Sequence, residues 1–591
     1  MSENHDVKSD SVDQIVEDYK VGEISRRSFM KRAVAIGIAV PTAAGILAAC
    51  GGEDEVAAPP AAPAEEPAAP AEEPAAPAPA GEEPVVGGEL IEGYDLDFSR
   101  MDPINGSWYD PGFFALYDAL VTNNPEGGLE PQLAESWSFS EDGLTLTFKI
   151  REGIKFHSGR ALNAGAIKEV FDVIQDPANG SPLNSLVNGN VTDYEAPDDT
   201  TLIINLAHPY FGIMNVVKTG FWRIVNIATR DRLGPDSYGQ AEIDGTGPFT
   251  LKEWTPGDKV IVERNNEYAG SITPYHKNRG LSYVDSVRWV TILEAAQRAI
   301  QLETGEIDTL RGPNFPDIDR LRGNDEITVT ELAEWSGYIL TLNWDRKDLG
   351  WDDVRVRQAL SHAIDRQAIV DNIFFSFGEP MYGPVCSAAE TYNPGVESTN
   401  QFNLEAAAAL MEDAGWAKNG DGIYEKDGVK QAFTLTIQTE TFNDQIAAAV
   451  QEQFSELGVD CTIQSVDRGT YFNVLFGAEC EMSLFFYLWP VPIDVVVLFI
   501  NSATATADFG GPNFSNARSD TVDAAIAAYF NSATAEEYQQ TAYDLQSIVA
   551  DELPIIPVVN RSAFWANRNN VHNYLVHQWN LYPYYHEVWK S

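Results

Sequence analysis

Catalytic and metal-binding side chains are recognised in a sequence by their spacing, and the 591 residues of this chain contain none of the common catalytic patterns. There is no Gly-x-Ser-x-Gly nucleophile turn, no His-Glu-x-x-His zinc motif and no phosphate-binding P-loop. The adjacent carboxylates Asp352 and Asp353 precede a helical pattern, where such residues cap the helix. The sequence therefore disfavours a hydrolase, and we expect neither catalysis nor a cofactor.

Four cysteines offer thiol chemistry instead: Cys50, Cys386, Cys461 and Cys480. None of them belongs to a Cys-x-x-Cys pair or a Cys/His cluster, so no metal site is predicted. Cys461 and Cys480 lie in two adjacent strand-like segments, where a disulfide would form in an oxidising compartment. Buried free thiols account for these two residues equally well.

Cys50 ends a Leu-Ala-Ala-Cys segment that resembles the lipobox of bacterial lipoproteins, in which the cysteine becomes residue one and carries acyl chains. Upstream, Arg26 and Arg27 resemble a twin-arginine export signal. The apolar run between them, 33–46, is short for a spanning helix, which needs about 20 apolar residues. We therefore expect residues 1–49 to be removed as a signal peptide. The mature chain would then be lipid-anchored on the extracytoplasmic face of the cell membrane, the periplasmic side where an outer membrane exists.

Residues 50–86 follow as a low-complexity segment in which Ala-Ala-Pro-Ala-Glu-Glu-Pro occurs at 61–67 and again at 68–74. So few large apolar side chains cannot build a core, and proline keeps such a segment extended at about 3.1 Å per residue. The segment is predicted to be a disordered tether, with a reach on the order of 100 Å.

The formal net charge of the chain is −49, which repels nucleic acid and anionic lipid headgroups. Apolar residues make up 44% and aromatic residues 11% of the sequence, enough for well-packed cores. The roughly 500 residues after the tether exceed what one hydrophobic core organises, so two or three lobes are predicted.

Strand-like and helical patterns alternate through this part of the chain. Alternating apolar residues predict strands at 144–148, 433–439, 459–466 and 555–559. Asn403 is expected to cap a helix over 404–414 that Gly415 ends, and Thr534 with Glu537 forms a capping box before another helix. This order is typical of mixed α/β lobes.

Five blocks of sequence carry a family pattern, and they lie at 131–137, 148–159, 245–249, 354–366 and 405–424. The first reads Pro-Gln-Leu-Ala-Glu-Ser-Trp, the third Gly-Thr-Gly-Pro-Phe, and the fourth opens with Val-Arg-Val-Arg-Gln-Ala-Leu. Together they resemble the family 5 extracellular solute-binding proteins, the peptide, nickel and opine receptors of ABC importers. The blocks come in the family's order and cover about residues 87–575.

The resemblance implies an α/β fold of the periplasmic-binding-protein type II class, a two-lobed clamp with an additional subdomain, mixed sheets and a hinge of crossing strands. Lobe 1 would comprise about 87–125, 240–340 and 550–591. The subdomain would span about 126–239, and lobe 2 about 341–549.

In peptide-binding members, the pattern Trp-x-x-Asp-x-x-Asp-Pro supplies an aspartate that holds the ligand's ammonium group. If Asp494 matches the second aspartate, Val491 stands where the first is expected, and valine cannot make that charge-assisted hydrogen bond. If the loop is shifted, Asp494 itself serves. Trp489 in the same segment is a candidate for a wall of the cleft, with plain core packing as the other interpretation.

Other candidate ligand contacts lie in connecting segments. Trp222 and Arg223 sit where some members place an arginine that meets a ligand carboxylate, a task suited to the guanidinium fork. A surface ion pair is the other interpretation of Arg223. Trp335 and Tyr338 lie beside the predicted hinge, and Tyr109 lies in an N-terminal loop that often faces the cleft.

The resemblance also implies a function. The protein would capture a small solute, peptide-like or otherwise carboxylate-bearing, between its lobes and deliver it to the permease and ATPase subunits of an ABC importer. A ligand-sensing or chaperone-like receptor with the same clamp is the alternative, and an extracellular hydrolase is the least favoured. We expect a monomer that touches the membrane only through its lipid anchor and does not bind nucleic acid.

Overall fold

The computed structural model describes residues 83–591 except 99, 106–109, 182, 219–221, 241, 476, 478–479, 489–491, 506–512 and 577–581. The predicted signal peptide with Arg26 and Arg27, the lipid-attachment residue Cys50 and the tether lie outside the described residues. So do the candidate ligand contacts Tyr109 and Trp489, and Val491.

Strands run through the whole described part of the chain. In chain order they are β1 Glu89–Tyr94, β2 Val121–Asn123, β3 Leu129–Pro131, β4 Ala134–Phe139, β5 Thr145–Ile150, β6 Val191–Asp198, β7 Thr201–Leu206, β8 Phe249–Thr255, β9 Lys259–Arg264, β10 Ser286–Thr291, β11 Thr309–Arg311, β12 Ile327–Ala333, β13 Ser336–Leu342, β14 Gly378–Pro380, β15 Ala417–Lys418, β16 Tyr424–Lys426, β17 Val429–Lys430, β18 Ala432–Gln438, β19 Asp460–Val466, β20 Met482–Leu488, β21 Ile555–Arg568, β22 Val571–His572 and β23 Trp589–Lys590.

The helices between these strands are, in chain order, α1 Gly112–Leu116, α2 Ala164–Gln175, α3 Asn184–Val187, α4 Ile213–Lys218, α5 Ile227–Leu233, α6 Ala295–Thr304, α7 Ile318–Arg322, α8 Val354–His362, α9 Arg366–Ile373, α10 Leu404–Asp413, α11 Thr441–Leu457, α12 Arg468–Leu475, α13 Pro492–Ile500, α14 Asp520–Phe530 and α15 Ala535–Glu552. Among the described residues, no helix is both long enough and apolar enough to cross a bilayer.

The helix ends follow the predicted capping chemistry. The Asn403 side chain accepts a hydrogen bond from the Ala406 N–H, and Asp353, rather than Asp352, accepts one from the Arg355 N–H. The Thr534 hydroxyl accepts from the Glu537 N–H, but the Glu537 carboxylate reaches the N–H of Ala533. The capping box is therefore shifted by one residue from its usual form.

One mixed sheet joins two sets of strands. Its order is β19-β18-β20-β13-β21-β11-β1-β10-β9-β8, with β12 and β14 also paired to β21. On one side, β18 is parallel to β19 and to β20; on the other, β1 is parallel to β10 and to β11. We call the β1 side lobe 1 and the β18 side lobe 2.

Strand β21 crosses from one lobe to the other. Its residues 555–559 pair with β13, and its residues 562–568 pair with β12. The second crossing is the short link of Glu334 and Trp335 between β12 and β13. The pairing places the change of lobe near Glu334 and near 560–562, rather than near 340 and 550 as the sequence suggested.

A four-stranded antiparallel sheet, β4-β5-β7-β6, lies within the predicted subdomain. Helix α2 packs on it through apolar residues at helical spacing, Ile167, Val170, Phe171 and Ile174, all of them buried. The predicted strand at 144–148 is found here as β5, and it alternates between buried and partly exposed residues as a half-covered sheet requires.

Of the two interpretations of Cys461 and Cys480, the structure contradicts the disulfide. Cys461 lies in β19 on one side of β18, whereas Cys480 leads into β20 on the other side. Two strand spacings amount to about 10 Å, beyond the about 7 Å that a disulfide spans between Cα atoms. Both residues and Cys386 are buried free thiols, which was the other interpretation of the sequence.

The Gly-Thr-Gly-Pro-Phe block has a packing explanation. The N–H of Gly247 donates to the carbonyl of Leu116 at the end of α1, 3.1 Å away. A Cβ atom at Gly247 would stand 2.5 Å from the Leu116 carbonyl carbon and 2.6 Å from the Ala115 oxygen. These are backbone atoms, so they cannot rotate away as a side chain would.

The substitution Gly247→Ala is therefore expected to lower the free energy of unfolding by about 2 kcal/mol or more, because the added methyl group separates α1 from the start of β8. Urea denaturation followed by tryptophan fluorescence measures this loss. Gly420→Ala is the matched control, since a Cβ there meets no atom within 4 Å. Equal stability of the two variants would contradict the explanation.

Candidate functional site

A cavity of about 830 Å³ opens between the two lobes beside the crossing strands. Lobe 1 lines it with residues that follow β1 and β11, such as Asp95 and Asn314. Lobe 2 lines it with Glu440 and Arg468, which follow β18 and β19. Ligands of open α/β sheets bind outside the carboxyl ends of the strands, so this is the position expected for a ligand.

A buried ion pair connects the two crossing strands at the base of the cavity. Nε of Arg561 lies 2.9 Å from Oε2 of Glu334, whose side chain is 5% exposed. Nη2 of Arg311 lies 3.9 Å from the other carboxylate oxygen of Glu334. Burial by itself raises the pKa of Glu334, but the attraction of Arg561 and Arg311 outweighs it, so the pKa is lowered overall. Two arginines therefore hold this carboxylate ionised.

Arg311 and Arg298, which also line the cavity, have further partners within the protein. Nη1 of Arg311 also approaches Oδ1 of Asp95 at 3.8 Å. Arg298 donates to the carbonyls of Leu293 and Gly312 at 3.0 and 2.7 Å. Arg298 thus joins the loop before α6 to the loop after β11, a positioning role.

Arg468 and Glu440 also line the cavity, but they do not form ion pairs with other described residues. Within the described part of the chain, Arg468 has no carboxylate within salt-bridge distance, and Glu440 has no cation within that distance. The Arg468 guanidinium lies over the ring of Phe472, 5.8 Å from its centroid. Partial burial in the cavity raises the pKa of Glu440, an effect that Arg561 partly offsets. The cavity therefore offers one cation and one acid to a ligand.

Aromatic rings form the wall between these charges. Phe442, Phe472, Phe485 and Phe486 line the cavity and are only half-buried, so each keeps surface that a ligand could cover. Phe486 is fixed from behind by the ring of Tyr338, with centroids 4.7 Å apart, and carries the Arg561 guanidinium at 4.7 Å. This arrangement of apolar walls with a few polar groups is typical of small-molecule sites.

The first turn of α11 adds backbone donors to the same cavity. Glu440 precedes the helix without a side-chain capping hydrogen bond, and Thr441, Phe442 and Asn443 line the cavity. The first N–H groups of a helix have no partner within it and favour negative charge. Oδ1 of Asn443 is buried and has no hydrogen-bond partner within the described part of the chain.

The candidate ligand contacts Trp222 and Arg223 lie away from this cavity. Arg223 is 2% exposed, donates to the Tyr117 carbonyl at 3.1 Å and lies 4.5 Å above the ring of Phe114. Trp222 is 1% exposed and packs edge-on against Phe171. The structure gives both residues a packing environment, and their contact with a ligand stays a prediction.

Trp335, Tyr338 and Asp494 are also absent from the cavity lining. Trp335 is buried in the crossing link, and Tyr338 supports the wall from behind. Asp494 is 4% exposed in α13 and accepts a hydrogen bond from the Tyr529 hydroxyl at 2.6 Å. Burial raises the pKa of Asp494 to about 7, although Tyr529 and Lys218 act in the other direction.

Sequence reasoning missed the residues that line the cavity. Glu440 directly follows the predicted strand at 433–439, and Arg468 lies two residues after the end of the predicted strand at 459–466. The rule that ligands bind at the carboxyl ends of parallel strands would have indicated both. No comparable signal exists for Phe486, which lies inside a strand.

Comparison with known proteins identifies relatives of the whole described region. Residues 128–506 match the family model described as bacterial extracellular solute-binding proteins, family 5 Middle. The glutathione-binding protein GsiB of Escherichia coli K12 is 26% identical over 489 residues, 80% of this chain and 89% of that protein. The oligopeptide-binding protein AppA of Bacillus subtilis is 29% identical over 367 residues, 60% of this chain and 64% of that protein.

Solved structures show the same fold. The periplasmic binding protein DppA of Helicobacter pylori, in complex with the peptide STSA, superposes with a TM-score of 0.71 at 24% identity, covering 86% of this chain and 98% of that one. NikA of Brucella suis, in complex with Fe(III)-EDTA, gives 0.72 at 22% identity over 85% of this chain and all of that one. Among the described residues of this chain, no group of His, Cys, Asp and Glu could hold a metal ion.

The substitution Glu334→Gln is expected to cost about 3 kcal/mol of stability, because it leaves Arg561 buried without its counter-charge. Since folding lowers the pKa of Glu334, the ion pair stabilises the wild type above the ordinary value of 4.5 and is lost as the pH falls below it. Denaturation between pH 3 and 7 should therefore show a flatter profile for the variant.

Glu267→Gln is the control, because the Lys155–Glu267 pair is exposed and such pairs contribute little. If both variants lose the same stability, or if Glu334→Gln keeps the wild-type pH profile, the role given to Glu334 is wrong.

Proposed function

This chain belongs to the bacterial extracellular solute-binding proteins of family 5, and from that premise we propose that it captures a small carboxylate-bearing, peptide-like solute in the cavity between its lobes. Members of the family deliver their solutes to the permease of an ABC importer, whose ATPase subunits do the chemical work. The protein itself then needs only to bind the solute, close its lobes around it and release it, without covalent chemistry.

The observation that carries the proposal is the isolated cation in the cavity. Arg311 and Arg561 are matched by Asp95 and Glu334, whereas Arg468 has no described carboxylate partner. A solute carboxylate would supply that partner through a charge-assisted hydrogen bond. The uncapped start of α11 favours the same charge.

An acceptor in the same cavity favours a solute that also donates hydrogen bonds. The Glu440 carboxylate suits an ammonium group. Half-buried rings such as Phe442 and Phe472 suit an apolar side chain. Carboxylate, amine and apolar groups occur together in short peptides. The related GsiB and AppA are named for binding glutathione and oligopeptides.

The location at a membrane surface is the second part of the proposal. Cys50 follows a Leu-Ala-Ala stretch and precedes a proline-rich segment without core-forming side chains. An acyl-modified Cys50 would hold the solute-binding region near the permease, and the tether would let it reach the importer.

Amidation of the solute's carboxylate tests the role of Arg468. The native solute is first identified by mass spectrometry of the purified protein, and calorimetry then compares it with its C-terminal amide. Amidation should weaken binding to the wild type about tenfold. It should leave binding to Arg468→Met nearly unchanged, because the charge that recognises the carboxylate is gone.

Arg232→Met is the control, because Arg232 lies on the surface in an ion pair with Glu242 outside the cavity. If amidation weakens binding to wild type and Arg468→Met to the same degree, Arg468 does not hold the carboxylate.

Cell fractionation tests the anchor. The full-length protein should sediment with membranes, and Cys50→Ala should move it to the soluble extracytoplasmic fraction or leave the signal peptide uncleaved. Metabolic labelling with a clickable fatty acid should mark the wild type alone. Labelling that survives Cys50→Ala would place the lipid elsewhere.

A further inference from the structure

The subdomain side of the molecule touches lobe 2 at a second place, separate from the crossing strands. The segment that leads into α4 lies against the turn between α14 and α15, where the N–H of Phe211 donates to the Ser532 carbonyl at 2.9 Å. The ring of Phe211 lies between Phe139 and Tyr538, with centroid distances of 6.0 and 5.9 Å. Tyr210 meets Phe530 at 5.6 Å. These rings form an apolar seam between the two parts.

A chain of hydrogen bonds runs through this seam. The Asn215 amide donates to the Tyr538 hydroxyl at 2.5 Å, and the hydroxyls of Tyr538 and Tyr529 are 2.6 Å apart. The Tyr529 hydroxyl donates to Oδ1 of Asp494 at 2.6 Å. If Tyr538 donates to Tyr529, every donor points toward Asp494, so one carboxylate fixes the direction of the whole chain.

An ion pair lies at the edge of the contact between α4 and lobe 2. Nζ of Lys218, at the end of α4, lies 3.0 Å from Oε2 of Glu390 in lobe 2. The Lys218 side chain is 7% exposed, whereas that of Glu390 is 54% exposed. Lys218 also lowers the pKa of Asp494, so the lysine faces both carboxylates.

This contact and the crossing strands lie at opposite ends of α15. Tyr538 is in the first turn of that helix, and β21 begins just after its last residue. None of Asn215, Tyr529, Tyr538 and Asp494 lines the cavity. The described structure therefore joins the subdomain side to lobe 2 outside this cavity.

We propose that the Asn215–Tyr538–Tyr529–Asp494 chain is a latch that holds the two lobes together across the cleft and sets the balance between closed and open forms independently of the solute. Opening the cleft breaks the Asn215–Tyr538 hydrogen bond, and water then solvates the Asn215 amide and the Tyr538 hydroxyl. The remaining bonds stay within lobe 2. Each lost hydrogen bond changes such an equilibrium by about fivefold, so the latch is reversible rather than permanent.

Titration of Asp494 gives the latch a pH dependence. The groups that face it are Tyr529, Tyr538 and Tyr210, with Lys218 and its partner Glu390 at the edge. Burial in the closed form raises the pKa of Asp494 to about 7, and water entering the open cleft would bring it toward the ordinary value of 3.8. The closed form then binds the proton more tightly. Closure is favoured at low pH and loses this contribution as the pH rises toward 7.

The test measures the distance between two spin labels, at Glu141→Cys in the subdomain and Glu536→Cys at the start of α15, in the solute-free protein. Both positions are exposed, and the described native thiols are buried. Tyr538→Phe should raise the ratio of long to short distances about fivefold, and Asn215→Ala should do the same from the other side. Unchanged distance distributions in both variants would overturn the proposal.

Tyr194→Phe is the matched control, because Tyr194 is a buried subdomain tyrosine whose hydroxyl has no hydrogen-bond partner among the described residues. It should leave the distances unchanged. Since the measurement uses no solute, failure of Arg468 to bind a carboxylate would not affect it, and failure of the latch would not affect solute identity.

A second readout follows the same labels between pH 5 and 7.5. The wild type should shift toward the short distance as the pH falls, and Asp494→Asn, which is neutral throughout, should not. A pH dependence that is identical in Asp494→Asn would assign the effect to another group and remove Asp494 from the latch.

Discussion

The crossing of β21 between the lobes is the constraint on which the rest of the structure depends. Its pairing with β13 ends at Val559 and its pairing with β12 begins at Ser562. Between these points β21 pairs with β14, and side chains add to the crossing: the Asn560 amide donates to the Glu334 carbonyl at 3.0 Å, and Arg561 pairs with the Glu334 carboxylate. The segment 559–562 of β21 therefore fixes the position of each lobe relative to the other. The cavity forms where this segment keeps the ends of β1, β11 and β18 facing each other.

The charge of the whole chain and the charge of the cavity have different consequences. A net charge of −49 favours solubility, but exposed charges are screened beyond about 8 Å at physiological salt. Inside the cavity, four arginines face only three acids, namely Asp95, Glu334 and Glu440. Recognition of an anion is therefore a short-range property of the cavity, and the acidic surface does not exclude it.

Structural features that depend only on residues close together in the sequence, such as helix caps and strands, can be predicted from the sequence. The cap of α10 needs only Asn403 and Ala406, and the strand at 555–559 needs only its own pattern, although the strand continues to Arg568. The ion pair of Glu334 and Arg561 joins residues 227 positions apart, which no local pattern reports. No local pattern reports the environment of Arg223 either, since it is made by Phe114 and Tyr117 in a distant segment. The family blocks indicated the fold, whereas the residues that line the cavity follow from tertiary contacts.

The Glu334–Arg561 ion pair and the Asn215–Tyr538 hydrogen bond differ in the free energy that breaking them would cost. Glu334 and Arg561 are charged and buried, so separating them would leave uncompensated charges, and they stay paired while the lobes move. Asn215 and Tyr538 are neutral, so water can replace each partner at small cost. Because the apparent affinity of a clamp scales with the fraction of closed-competent molecules, the strength of the Asn215–Tyr538 contact changes the affinity for every solute by one common factor. In the proposed function Arg468 and the rings beside it select the solute, whereas the proposed latch sets the fraction of closed molecules and through it the affinity.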